Sequence, residues 1–155
     1  MRTKLSLQKI SFFIGLTIFS LQTSAQCKGF VKRADFSALA AFEYCGNVRA
    51  AKMYSGDEAK LNQKVEVGKR YRIVMNNQKF LGDVNISIKD EKGKSLGSEV
   101  VSEDTNYWEV MVSENQTIYI YLKAPKEEST VGIVSSGCVA LAVGELDNEE
   151  LVVYP

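Results

Sequence analysis

Residues 83–90 read DVNISIKD, and their alternation decides the fold. Val84, Ile86 and Ile88 point one way, while Asp83, Asn85, Ser87 and Lys89 point the other. A period of two is the pattern of a strand with one face on a core and one in water. The next residues, DEKGK at 90–94, read as a turn in which Gly93 supplies a positive φ. The same period recurs on both sides. Upstream, YRIVMN (71–76) sets Tyr71, Ile73 and Met75 against Arg72, Val74 and Asn76, and NVRAAKMY (47–54) and KLNQKVEV (60–67) precede it. Downstream come SLGSEVV (95–101), NYWEVMV (106–112), TIYIYLKA (117–124) and CVALAVGEL (138–146). About eight short strands at regular spacing, most with one apolar face, predict a mainly β chain. The expected form is a jelly-roll-like antiparallel β-sandwich. LVVY (151–154), after the acidic turn LDNEE, is a further short strand on this reading.

Before Gly46 the period is different. Phe36, Leu39, Ala40 and Tyr44 share one helical face, Asp35 can cap the start, and Gly46 lies just past the end. This predicts one short N-terminal helix over 35–44, lying on a sheet. Phe42 falls off its stripe.

Residues 1–25 carry Arg2, Lys4 and Lys9, an apolar run from Ile10 to Leu21, and the small exit Thr23-Ser24-Ala25. That is the make-up of a secretory signal peptide, and the run is too short for the roughly 20 residues of a membrane-spanning helix. Cleavage after Ala25 is expected, with residues 26–155 forming one domain and no transmembrane segment. Gln26 is bulky before Cys27 and argues against a lipid anchor. The expected location is secreted, periplasmic or cell-surface.

The mature chain has three more acidic than basic residues. That is the wrong balance for nucleic acid or an anionic membrane. Histidine is absent, so Ser-His-Asp and Cys-His nucleophiles and His-bound metals are excluded. An oxidising compartment makes a disulfide the default for Cys27, Cys45 and Cys138. Three pairings are open. The chain-entropy model gives about 4.7 kcal/mol for a loop of the 27–138 kind and about 3 kcal/mol for 27–45. It favours Cys27–Cys138, with 45–138 next, and leaves Cys45 as a buried, inert thiol.

The segment NYWEVMVSENQTIYIYLKA (106–124) reads as a hairpin. Trp108, Val110 and Val112 on one arm and Ile118, Ile120 and Leu122 on the other face the core. The opposite face then gathers Tyr107, Glu109, Met111, Tyr119, Tyr121 and Lys123. Flat rings beside polar groups suit a glycan or a peptide, although cross-strand tyrosines also stabilise sheets. Asp83 and Asn85 offer oxygens to a hard cation, but calcium takes six to eight and no converging set is evident. No metal or cofactor is therefore assigned. Glu103 with Asp104, and Glu149 with Glu150, are the acid/base pairs a histidine-free hydrolase would draw on. Asn85-Ile-Ser and Asn115-Gln-Thr fit the glycosylation pattern.

Residues 65–94 also resemble the bacterial pre-peptidase C-terminal domain family. The match is a Gly-x-x-Tyr opening (Gly68, Tyr71), an Asp-Val-Asn strand (Asp83, Val84, Asn85) and an Asp-x-x-Gly turn (Asp90, Gly93). Asn85 stands where that family usually has a second acid. The resemblance implies a non-catalytic β-sandwich of a secreted protein, of a kind that in some members binds polymers or calcium. Together these readings point to an exported binding or accessory module for a glycan, peptide or protein. An inhibitor or accessory subunit of another exported protein is the alternative, and a carboxylate hydrolase the third.

Overall fold

The computed structural model describes residues 27–101, 106–126 and 134–147. The expected signal peptide, the acidic pairs Glu103/Asp104 and Glu149/Glu150, and the LVVY strand lie outside them. Nine strands are described: β1 (Glu43–Tyr44), β2 (Arg49–Tyr54), β3 (Glu58–Val65), β4 (Lys69–Asn77), β5 (Asn85–Lys89), β6 (Ser98–Val101), β7 (Asn106–Met111), β8 (Gln116–Lys123) and β9 (Ser136–Asp147). All described pairings are antiparallel. One sheet runs β1-β9-β4-β7-β6, with β2 joined to β9 beyond β1, and the other runs β3-β8-β5. The sandwich is as the alternation predicts.

The core lies between the two sheets, and the inward residues are those the period assigns. Tyr71, Ile73, Val110, Ile118, Ile120 and Leu141 are each at most 2% exposed. The 90–94 turn forms as read: Gly93 has φ +82°, and the Asp90 carboxylate accepts the Lys92 and Lys94 backbone N–H groups at 2.8 Å.

Two expectations are corrected. The first is the helix over 35–44. The only α-helical turn among the described residues, α1, is Lys28–Val31. Residues Ser37–Leu39 make a single 3-10 turn, and Glu43–Tyr44 pair with β9. Asp35 caps locally, accepting the Ser37 N–H at 2.8 Å. The chain then turns at Ala40 with φ +48°, which breaks any helical run. A ten-residue helix is marginal on its own, and the alternative buries Phe42 against β9. Phe42, the residue off the helical stripe, is 7% exposed, while Tyr44 on the stripe is 53% exposed.

The second is the 106–124 hairpin. Strand β7 pairs with β4 and β6, whereas β8 pairs with β3 and β5. The link between them crosses from one layer to the other. Both arms still present their apolar faces to the same core, but from opposite sides. A tight hairpin needs left-handed residues at its tip, and no residue from 112 to 116 has a positive φ. Asn115 braces the crossing instead, its side-chain oxygen accepting the Val67 N–H at 2.8 Å.

Strand β9 is buried on both faces. Val139, Leu141 and Val143 face the other sheet, and Cys138, Ala140, Ala142 and Gly144 face outward. Segment 27–42 covers that outward side. It is fixed by a Cys27–Cys138 disulfide, and Leu39 and Phe42 pack with Val74 and Ala142. A methyl group on Gly144 would sit 2.7 Å from the Phe42 Cβ, so the small residue is what lets the segment lie flat. The bridge spans 111 residues, and Cys27→Ser with Cys138→Ser should lower the unfolding free energy by about 4–5 kcal/mol. Urea titration of the mature double variant checks this; a loss below about 1 kcal/mol would show that the loop constraint is not what holds the segment.

Candidate functional site

The crossover divides the residues expected to form one tyrosine face. Tyr107 and Glu109 stand on the outer side of the larger sheet, and Tyr119, Tyr121 and Lys123 on the outer side of the smaller one. The two groups have different surroundings.

On the larger sheet, Arg72 of β4 is paired across from Glu109 of β7. Its guanidinium lies 4.3 Å from the Phe42 ring centroid and 4.2 Å from that of Tyr107. Nε and Nη2 donate to Glu109 Oε1 at 3.0 and 2.6 Å, and Nη1 donates to the Ala38 carbonyl at 2.7 Å. A planar cation between two rings, with its fork on a carboxylate, is the geometry only arginine fills. Tyr107 and Glu109 are thereby engaged in holding the N-terminal segment down. Arg72→Lys keeps the charge but loses the planar stacking and the fork, and should cost about 1–2 kcal/mol. It should also speed tryptic cleavage at Arg33; unchanged stability and cleavage would mean that the disulfide alone fixes the segment.

On the smaller sheet no described element crosses the outer face. The registers β3·β8 and β5·β8 put Glu58, Lys60, Asn62 and Lys64 on one side of Thr117, Tyr119, Tyr121 and Lys123, and Asn85, Ser87 and Lys89 on the other. Lys60 Nζ lies 3.9 Å from the Tyr119 ring centroid and 5.4 Å from that of Tyr121, and Lys89 Nζ is 5.5 Å from Tyr121. Lys123 pairs with Glu58 at 2.7 Å. Among the described ion pairs none involves Lys60, Lys64 or Lys89. The result is a basic, aromatic face on a chain with equal numbers of acidic and basic residues. Lys60 and Lys89 are the members that sequence reading missed, because only the strand register reveals their place beside the tyrosines.

The third cluster surrounds the free thiol. Cys45 donates to Glu145 Oε2 at 3.3 Å, and Lys69 donates to Glu145 Oε1 at 2.9 Å. The Lys69 contact holds the Glu145 carboxyl below its usual range, and Glu145 in turn raises Lys69. Burial, then the hydrogen bond to the carboxylate, pushes the Cys45 thiol up to about 12. A thiol in that state is a poor nucleophile. Its raised value stabilises the fold below the ordinary thiol range, and that contribution is lost as pH rises toward about 12. Cys45 is half-buried where the sequence reading expects it buried, and iodoacetamide should still leave it largely unmodified in the native protein at pH 8–9 and react on unfolding; rapid labelling of the folded protein would contradict the raised thiol.

Asp83 and Asn85 are exposed, and among the described residues no group of three or more Cys, Asp or Glu gathers in a metal-binding arrangement. None of the described helices is long and apolar enough to cross a membrane.

No protein-family model matches this chain, and no curated protein does. Among solved structures it is similar to Aeromonas hydrophila PliG, a periplasmic lysozyme inhibitor of g-type lysozyme. The two share 9% identity at a TM-score of 0.47, over 73% of this chain and 93% of that one.

Proposed function

We propose that this is an exported, non-catalytic binding module that engages the acidic surface of another exported protein, as an accessory or inhibitory subunit. The observation that carries the reading is the asymmetry of the two outer faces. One is sealed by the chain's own disulfide-tethered segment. The other presents Tyr119, Tyr121 and three lysines that lack carboxylate partners among the described ion pairs.

A protein fits this face better than a sugar. A pyranose stacks on a bare ring face, and here the ammonium groups of Lys60 and Lys89 lie over the rings. A flat sheet with projecting cations instead complements carboxylates spread over a protein surface, where they set orientation and association rate. Tyrosines between them supply the rigid apolar contact that carries much of the energy in such interfaces.

A photo-crosslinker at Ser87, outward on β5, should capture one predominant exported protein, and one at exposed Phe80 should not. Lys64→Glu with Lys89→Glu should weaken the captured complex by at least about tenfold. Tyr119→Ala with Tyr121→Ala should do the same without unfolding the protein. Retention of the partner by both double variants, or recovery of polysaccharide in place of protein, would overturn the proposal.

A further inference from the structure

We propose that the cleft between β2 and β3 is a binding site for an aliphatic carboxylate of medium chain length. It is distinct from the tyrosine face, although Lys60 borders both, and it does not depend on the identity of any protein partner.

The cleft follows from the chain path. β2 and β3 are consecutive, joined through the turn at Gly56, but β2 pairs with β9 in one sheet and β3 with β8 in the other. Neither pairs with the other, so among the described residues two unpaired edges face each other across the gap between layers. At the inward positions of these edges stand Ala51, opposite Val139, and Ala59, opposite Leu122. Packed sheets lie about 10 Å apart, and two methyl groups do not fill that distance. What remains is an open space of about 210 Å³ whose lining includes Ala51, Met53, Ala59, Leu61, Leu122 and Leu141. Met53, Leu122 and Leu141 belong to the main core, so an occupant would continue the core outward.

The volume sets the size of that occupant. A 150 Å³ apolar cavity accepts a benzene-sized molecule, and drug-sized ligands want about 300 Å³ or more. The space suits a single unbranched chain. Its mouth sets the head group. Arg49 donates to the Asn62 carbonyl at 2.7 Å and to Gln63 Oε1 at 3.3 Å. Both acceptors are neutral, so the guanidinium is positioned and its charge is not cancelled. Lys60, on the opposite wall, has a tyrosine ring as neighbour and no carboxylate among the described ion pairs. Two uncompensated cations at the rim of an apolar slot complement one anionic head on one apolar tail.

The test is an amide correlation titration of the mature protein with sodium octanoate, octanol and the peptide Ac-Glu-Leu-Glu-Leu-NH2. Octanoate should shift the amides of Ala51, Ala59 and Leu61 and bind more tightly than octanol. Arg49→Gln with Lys60→Gln, both exposed and so compatible with folding, should weaken octanoate by about fivefold to tenfold and leave octanol unchanged. Ala59→Leu, or Ala51→Val should the first variant fold poorly, should fill the slot and abolish both. No shifts at the cleft, equal binding of acid and alcohol, or octanoate binding that survives the filling variants would each overturn the proposal. So would tighter binding of the peptide with strand-like shifts along β2 or β3, which would assign the groove to an extended chain.

Discussion

Burial of β9 on both faces is the constraint on which the remaining structure depends. A strand in an antiparallel sandwich normally buries one side and wets the other. Here Cys138, Ala140 and Ala142 on the outer side are as inaccessible as Val139, Leu141 and Val143 on the inner. Apolar surface buried at roughly 25 cal/mol per Å² stabilises only while something covers it. The covering segment is short, with one helical turn and one 3-10 turn, and could not persist alone. It holds because it is tied at one end by a covalent bond and near the other by Phe42 on Arg72. The two outer faces of the molecule become unequal as a direct consequence.

The sequence was legible where a side chain's direction decides the matter, and illegible where a partner does. DVNISIKD and YRIVMN place their apolar residues inward as the period requires, and Val84, Ile88, Tyr71 and Ile73 are buried. Alternation says which face a strand buries, but not which strand lies beside it. Trp108-Val110 and Ile118-Ile120 satisfy one core equally well as two arms of a hairpin or as strands of opposing sheets. The lack of glycine between residues 98 and 131 was the available sign against a tight turn. The disulfide was recoverable from loop entropy because the longest closure and the loose terminal segment favoured the same pairing.

Arg72 was illegible for a different reason. At an outward position of YRIVMN it reads as a solvated cation, yet its side chain is 16% exposed. Its burial comes from a segment thirty or more residues away, through the Phe42 ring and the Ala38 carbonyl. The continuous apolar run CVALAVGEL did carry the complementary signal. Its first seven residues, Cys138 to Gly144, are all buried, small at each outward position, and mark a strand with something on both sides. Taken as an ordinary half-buried strand, that run does not say which sheet the 35–44 segment covers, and the segment lies on β9 as a 3-10 turn and a short strand in place of the expected helix.

Unequal layers explain the remaining surface. Among the described residues three strands face a sheet five strands wide, because β1 and β2 share one edge of β9. At about 4.8 Å per strand the larger sheet overhangs the smaller by about 10 Å. An overhang must be filled by bulky inward side chains, covered by another segment, or left open. At β6 and β7 the chain fills it, with Trp108 and Leu96 packed on the core. At β2 and β3 it does not, for Ala51 and Ala59 stand at inward positions between Arg49 and Met53 on one edge and beside Leu61 on the other, and Arg49 spends its reach on Asn62 and Gln63. Larger aliphatic residues at those two positions would close the gap at no cost in hydrogen bonding. Alanine on both walls, under a rim of cations without carboxylate partners, therefore leaves room where stability alone would favour closure, and places charge where an anionic head group would meet it.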